Sequence, residues 1–199
     1  MTDNIDPKNW IEELRIAAGE SEDHTRATSP AQTVGTLSET IEHLCQEPRQ
    51  VRLEIVRDLL QQSDDIAMDI LEKLAVADPD SNVRWAIAEG LAEVDHTRTV
   101  VLLESIALKD LDELVQSCAV GALGQRAMAA YRRQAGPNSA TPRAIAKIRG
   151  GVRTRGASPI REKNGEALEI LEALYRLRDA DLPDYVKEKI DVTLRQLGE

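Results

Sequence analysis

Ten basic side chains lie within residues 126–163, where only one residue is acidic. Eight of the ten are arginines, whose planar guanidinium can form two parallel hydrogen bonds with a carboxylate or a phosphate. The ten are Arg126, Arg132, Arg133, Arg143, Lys147, Arg149, Arg153, Arg155, Arg161 and Lys163. Three interpretations stay open: a solvated flexible insertion, a segment that docks on an acidic protein surface of this chain or of a partner, and a contact with nucleic acid.

The rest of the chain is acidic. Residues 1–125 hold 10 basic and 25 acidic residues, a net charge of −15, and residues 164–199 hold 5 and 9, a net of −4. With the +9 of residues 126–163, the whole chain carries −10. An acidic surface repels phosphates, so binding to nucleic acid requires that the basic segment project clear of it.

The residue types that most often carry catalysis or bind metals are scattered along the chain. His24, His43 and His96 have no partner at a spacing typical of a metal site, and Cys45 lies far from Cys118. There is no Gly-x-Ser-x-Gly nucleophile motif and no glycine-rich phosphate loop. We therefore predict no catalytic residue, no metal site and no cofactor, and we expect that the chain is not an enzyme.

The chain also lacks the features that direct a protein to a membrane or out of the cell. No apolar run approaches the roughly 20 residues that cross a bilayer. The first residues are acidic and polar, unlike a secretion signal. The two distant cysteines resemble small buried side chains of a reducing compartment. These features predict a cytoplasmic protein without a membrane partner.

An apolar pattern recurs along the chain with a period of 32 residues. Val51, Val83 and Val115 each begin a stripe of apolar residues at i, i+4 and i+8, which is one face of a helix. The stripes are Val51-Ile55-Leu59, Val83-Ile87-Leu91 and Val115-Ala119-Leu123. A repeat of this length predicts an all-α solenoid, in which about four antiparallel helical hairpins follow an N-terminal helix.

Breaks in the periodicity divide the chain into four segments. We predict an N-terminal helix and polar linker over residues 1–33, a repeat array over 34–134, a basic flexible insertion over 135–164, and a capping hairpin over 165–199. The insertion is inferred from glycine and proline breakers and from the loss of periodicity. The capping hairpin is inferred because Ile170-Leu171-Glu172-Ala173-Leu174 matches Ile70-Leu71-Glu72-Lys73-Leu74.

Local signals predict details of the helices. Trp10, Leu14 and Ile16 are the expected apolar anchors of the N-terminal helix, which we place at about residues 7–18. Asp64 is positioned to cap a helix at its N-terminus. The run Gly121-Ala122-Leu123-Gly124 is expected to let two helices pack closely.

The segment Asp78-Pro79-Asp80-Ser81-Asn82-Val83-Arg84-Trp85-Ala86-Ile87-Ala88-Glu89-Gly90-Leu91 resembles the start of a HEAT repeat. It is most similar to the short bacterial type that is named after phycobilisome lyases. The resemblance covers residues 48–133 well and residues 167–198 loosely. It implies stacked helical hairpins, and it leaves function open because such arrays serve as scaffolds, lyases, nucleic-acid binders and repair enzymes.

The resemblance also implies a ladder of turn aspartates and helix arginines that ties neighbouring repeats together. The ladder positions are occupied here by Arg52, Asp80, Arg84 and Asp112. Gln116 stands where the next arginine belongs, so the ladder is expected to weaken at the third repeat.

The function predicted from these observations is a non-catalytic scaffold or adaptor that binds a protein partner. The predicted contact residues are Arg52, Arg84 and Trp85 on the array and Arg149, Arg153 and Arg155 on the insertion. Trp85 lies one step off its apolar stripe, so both core packing and an exposed contact stay open for it. Two alternatives remain: a nucleic-acid-binding protein that uses residues 126–163, and a lyase-like or cofactor-attachment factor. The partner's identity and the oligomeric state are not specified by the sequence.

Overall fold

A computed structural model describes residues 7–19, 36–135 and 165–198. Over these residues the backbone forms helices joined by turns, without a strand. The nine helices of the described residues are α1 (Pro7–Ala17), α2 (Leu37–Leu44), α3 (Arg49–Gln62), α4 (Asp65–Ala77), α5 (Ser81–Gly90), α6 (Thr99–Lys109), α7 (Glu113–Ala135), α8 (Gly165–Asp179) and α9 (Asp184–Gln196). The predicted all-α class is confirmed.

The chain divides into two compact units. Unit 1 comprises residues 1–90 and 94–96 and contains α1 to α5. Unit 2 comprises residues 91–93 and 97–199 and contains α6 to α9. The division falls inside the segment for which the sequence predicts one continuous array.

Unit 1 is built from helical hairpins that pack side by side. Helix α1 packs against α2 and α3, and α3 packs against α4 and α5. Helix α4 packs in turn against α2 and α5. Helix α1 therefore packs within unit 1, beside α2 and α3.

Unit 2 follows the same packing scheme. Helix α7 packs against α6, α8 and α9, and α8 packs against α6 and α9. Because α8 repeats the sequence pattern of α4, α7 and α8 are the two arms of one hairpin. Residues 136–164, which lie outside the described residues, join α7 to α8 in the sequence, and the predicted insertion over 135–164 and capping hairpin over 165–199 stay predictions.

The three repeated valines occupy equivalent positions. Val51, Val83 and Val115 are each the third residue of their helices, α3, α5 and α7. Val83 and Val115 are buried, and Val51 is half-buried. The later members of the three stripes are all buried: Ile55, Leu59, Ile87, Leu91, Ala119 and Leu123. The 32-residue apolar pattern thus forms the buried faces of α3, α5 and α7, as predicted.

The first helix departs from its predicted pattern at one residue. Trp10 and Leu14 are buried as expected, and Ile11 is buried beside them. Ile16 is 43% exposed, so its prediction as an anchor was wrong. It lies five residues after Ile11, a spacing of about 500° at 100° per residue, which turns it away from the buried face.

Two predicted local features are present. Asp64 is the N-cap of α4, where its Oδ1 accepts a hydrogen bond of 2.8 Å from the backbone N–H of Ala67. The close approach of α7 and α9 occurs at Gly124, where an added Cβ would lie 2.5 Å from Thr193 Cγ2. At Gly121 an added Cβ would lie 3.5 Å from Lys189 Cε, an ordinary contact distance.

Candidate functional site

Two turns that precede helices have the same hydrogen bond 32 residues apart. Asp78 Oδ1 accepts a bond of 2.8 Å from the backbone N–H of Asp80, and Asp110 Oδ1 accepts one of 2.8 Å from that of Asp112. An aspartate that bonds two residues ahead folds its own turn. The carboxylates of Asp78 and Asp110 therefore stabilise the turns in which they lie.

Arg52 lies inside unit 1, where it is 7% exposed. Its Nε is 2.8 Å from Asp78 Oδ2, and its Nη2 is 4.0 Å from Asp80 Oδ2. Its Nη1 donates hydrogen bonds to the carbonyl oxygens of Cys45, at 3.2 Å, and of Glu47. The implied ladder thus joins Arg52 more closely to Asp78 than to Asp80. A guanidinium that is buried and paired offers a partner almost no surface, so we remove Arg52 from the predicted contact residues.

The buried carboxylate that faces Arg52 has a perturbed acidity. Burial raises the pKa of Asp78, and this effect outweighs the hydrogen bond from Asp80 and the charge of Arg52, which lower it. The pKa of Asp80 is lowered instead, because the side chain and backbone of Asn82 donate hydrogen bonds to its carboxylate. The pKa values of the buried Asp78 and the more exposed Asp80 are therefore shifted in opposite directions.

Arg84 and Gln116 make the same contact in successive repeats. Arg84 Nη1 donates a hydrogen bond of 2.8 Å to the carbonyl of Asp78, and Gln116 Nε2 donates one of 2.9 Å to the carbonyl of Asp110. Glutamine therefore keeps the hydrogen bond at the third repeat and loses the positive charge. This bond lies within one repeat, so the expected weakening of the ladder between repeats stays a prediction.

Trp85 lies on the surface of α5 and is 41% exposed. Its equivalent on the neighbouring helix α3 is Leu53, which is half-buried. The charged side chains Arg57 on α3 and Glu89 on α5 are exposed on the same two helices. We name Leu53, Arg57, Trp85 and Glu89 the Trp85 surface. It combines a large aromatic side chain with charges of both signs.

A groove also opens on unit 1 where the end of α1 meets α2 and α4. Its volume is about 780 Å³. The apolar lining consists of Ala17, Ala18, Leu37, Ile41, Val76 and Ala77. The charged lining consists of Glu42, Asp69, Glu72 and Lys73. Val76 is 78% exposed, so its side chain is presented to whatever enters the groove. We name this feature the α2–α4 groove.

Three arginines of the basic segment belong to helix α7, and two of them, Arg126 and Arg133, are paired within unit 2. Arg126 Nη2 is 2.5 Å from Glu166 Oε1, and Arg133 Nη2 is 2.6 Å from Glu166 Oε2. Arg126 is buried, whereas Arg133 is half-exposed. One carboxylate at the start of α8 thus joins both guanidinium groups to the other arm of the hairpin. These two arginines stabilise unit 2.

The remaining candidates on the insertion, Arg149, Arg153 and Arg155, lie outside the described residues. Residues 136–164 hold seven basic residues and one acidic residue, a net charge of +6. The predicted contact of this segment with an anionic partner stays a prediction.

The described residues show neither a metal site nor a membrane-spanning helix. In this part of the chain, no three His, Cys, Asp or Glu side chains are placed to hold a metal ion. None of its helices is long and apolar enough to cross a bilayer. Both cysteines are thiols, and burial, together with the charge of Asp78, raises the pKa of the Cys45 thiol.

Hairpins of this kind, tied by turn aspartates and carrying exposed side chains on their helices, define a helical-repeat protein. The family described as HEAT repeats matches residues 37–124 and 69–169, which together span more than half of the 199-residue chain. The chain therefore belongs to the HEAT-repeat family. A comparison with curated proteins finds no match. The narrower likeness to the type named after phycobilisome lyases stays a prediction.

Sequence reasoning missed the α2–α4 groove. The signal that could have indicated it is Val76, which lies two residues beyond Leu74 and thus off the buried stripe of α4. A single exposed apolar side chain is common on protein surfaces, so this signal does not identify a groove by itself. The groove itself depends on α1, whose pairing with α2 is not evident from the sequence.

Proposed function

We propose that the chain is a non-catalytic scaffold or adaptor that binds a protein partner through the surface of its helical repeats. The observation that supports this best is the exposure of Trp85, the predicted contact residue that the fold leaves accessible. Stacked repeats bind through extended surfaces to which each repeat adds a few side chains.

The chemistry of the Trp85 surface fits a protein partner. Tryptophan buries a large apolar area on binding and is enriched among the residues that dominate interface energies. Arg57 and Glu89 would form the polar rim that surrounds such a residue. The half-exposed Arg84 stays in the proposal as a neighbour of Trp85 whose guanidinium is also bonded to its own turn.

The proposed location is the cytoplasm, in which thiols such as Cys45 and Cys118 stay reduced.

Site-specific photo-cross-linking tests this proposal. Trp85 is replaced with p-benzoylphenylalanine in the full chain, and cells of the source organism are irradiated before purification. We expect a discrete cross-linked protein band from position 85. The matched control places the same group at Tyr185, an aromatic residue of unit 2 that is 51% exposed. The same bands from both positions, or none from position 85, would contradict the proposal.

A second candidate function rests on the charge of the insertion. The predicted contact of Arg149, Arg153 and Arg155 with an acidic protein and their contact with nucleic acid make opposite predictions for a labelled RNA or DNA. Affinity that falls steeply with salt and is lost on deletion of residues 141–163 would favour nucleic acid. The lyase-like alternative would require a bound pigment or substrate in protein purified from its source.

A further inference from the structure

The α2–α4 groove has the size and composition of a binding site. Its volume of about 780 Å³ lies within the roughly 300–1,000 Å³ that is typical of ligand pockets. Ala17, Leu37 and Val76 make much of its surface apolar. Three helices contribute, so the groove is part of the packed unit and not a gap between loose segments. An apolar groove between helices is the geometry in which an amphipathic segment lays its apolar face.

The charges at the groove indicate the sign of its ligand. Glu42, Asp69 and Glu72 line it together with a single basic residue, Lys73. The lining therefore has a net charge of −2, which follows from three acidic residues and one basic residue. Lysine or arginine side chains on a ligand would meet complementary charge there, and acidic side chains would meet like charge.

The chain's own linker is a poor match for the groove. Residues 20–35 lie in the sequence between α1 and α2, whose residues Ala17, Ala18 and Leu37 line the groove. They hold three acidic residues and one arginine, a net charge of −2, the same sign as the lining. Charge complementarity thus favours a separate, basic ligand over this linker.

We propose that the α2–α4 groove binds a basic amphipathic segment of a partner protein, with apolar side chains against Leu37 and Val76 and lysine or arginine side chains near Glu42. This inference rests on the proposed scaffold function and names the chemistry of the partner. It does not depend on the Trp85 surface, which lies on α3 and α5.

Fluorescence anisotropy with three labelled synthetic peptides tests the inference on the full chain. The first peptide is a helix-forming sequence of leucine, alanine and lysine with the leucines on one face. The second replaces every lysine with glutamate, and the third replaces every leucine with serine. We expect the first peptide to bind at least 10-fold more tightly than either of the others, because the groove requires both an apolar face and positive charge.

Two serine substitutions locate the binding. Val76→Ser in the groove should weaken binding of the first peptide at least 5-fold, and because Val76 is exposed the fold should not change. Leu108→Ser is the matched control, because Leu108 is the residue of α6 that stands 32 positions after Val76 and is 40% exposed. Circular dichroism checks that both variants fold. Equal weakening by the two substitutions would overturn the inference.

Two further outcomes would overturn the inference, and a third would exclude the groove without affecting the proposed function. Equal binding of the leucine and serine peptides would show attraction by net charge alone and would overturn the inference. Displacement of the first peptide by a synthetic peptide of residues 20–35 would overturn it as well, since the chain's own linker would then be the ligand. If peptide binding fails while position 85 still cross-links a protein, the groove is excluded and the proposed function stands.

Discussion

The fourth residue of α3, α5 and α7 bonds each helix to the turn before it. Arg52 donates to the carbonyl of Glu47, Arg84 to that of Asp78, and Gln116 to that of Asp110. A carbonyl at the end of the preceding helix or turn needs such a donor when it is removed from water. Arg52 and Arg84, two of the basic side chains predicted to contact a partner, are thus used at least in part by the fold.

Arg52→Met should destabilise unit 1 by about 3–5 kcal/mol at pH 7, because it leaves the Asp78 carboxylate buried without its partner. Burial already raises the pKa of Asp78, and the substitution should raise it further. A carboxyl group whose pKa is higher in the folded state than in the unfolded state destabilises the fold as the pH rises through the folded pKa. The loss of stability caused by Arg52→Met should therefore shrink as the pH falls toward about 4.

Urea denaturation of Arg52→Met at several pH values gives the free energy of unfolding. The matched variant carries both Arg52→Met and Asp78→Asn, which removes the buried charge and should recover part of the loss at pH 7. A loss below about 1 kcal/mol for Arg52→Met would contradict the structural role given to this ion pair.

Substitutions of Asp64 can distinguish the stabilisation that comes from its N-cap hydrogen bond from the stabilisation that comes from its negative charge. Its pKa is raised by burial but lowered more by hydrogen bonds from Ala67 and Arg15, so the net shift is downward. Asp64→Ala should cost about 1 kcal/mol, whereas Asp64→Asn keeps a cap acceptor and should cost less. Because the folded pKa is lowered, the charge stabilises above the unfolded value near 3.9, and this stabilisation is lost as the pH falls through the folded pKa.

Thermal unfolding of the wild type and Asp64→Asn from pH 7 to pH 3 measures this effect. Their melting temperatures should converge as the pH falls. A difference that stays constant over this range would show that the ionised carboxylate contributes nothing to the cap.

At the scale of the elements, the contact between α7 and α9 depends on one glycine. Gly124→Ala should destabilise unit 2 by about 1–3 kcal/mol, since the new Cβ would lie 2.5 Å from Thr193 Cγ2. Thr193 is buried, and its hydroxyl donates a hydrogen bond of 2.8 Å to the carbonyl of Lys189, so it cannot easily move away. Gly121→Ala, which meets only an ordinary contact, should stabilise the helix by about 0.5–1 kcal/mol.

A double-mutant cycle by chemical denaturation tests the origin of this cost. Thr193→Ser removes only the methyl group that would clash, so it should recover most of the loss caused by Gly124→Ala. Additive losses in the double variant would place the cost elsewhere.

The sequence predicted the helices better than it predicted how they pair. The stripes that begin at Val51, Val83 and Val115 identify buried faces because a helical period of 3.6 residues is visible in local sequence. The pairing of α1 with α2, and of α7 with α8, joins helices across long connections, where local pattern carries no information. The sequence does show that α8 corresponds to α4, but it does not show that α8 packs against α7 as well as against α9.

The candidate site was predictable only in part, for a related reason. Trp85 was identified by its type and by its place beside the apolar stripe, yet its exposure depends on the packing of α3 and α5. Arg52 was mistaken for a surface residue because a sequence does not show which charges are buried with a partner. The α2–α4 groove needs three helices and could not be read from any one of them.

For the whole molecule, the central claim is that the chain acts by binding and that Trp85 is its main contact. A single tryptophan at the centre of an interface contributes about 2–4 kcal/mol, so its loss should weaken a complex at least 10-fold. Side chains at the rim would change affinity far less.

Quantitative mass spectrometry of proteins that copurify with the tagged full chain tests this claim most directly. The wild type and Tyr185→Ala should enrich the same partner, and Trp85→Ala should lower that enrichment at least 10-fold while circular dichroism shows that the variant is folded. Equal enrichment by all three proteins, or an enrichment that nuclease treatment removes, would contradict the account.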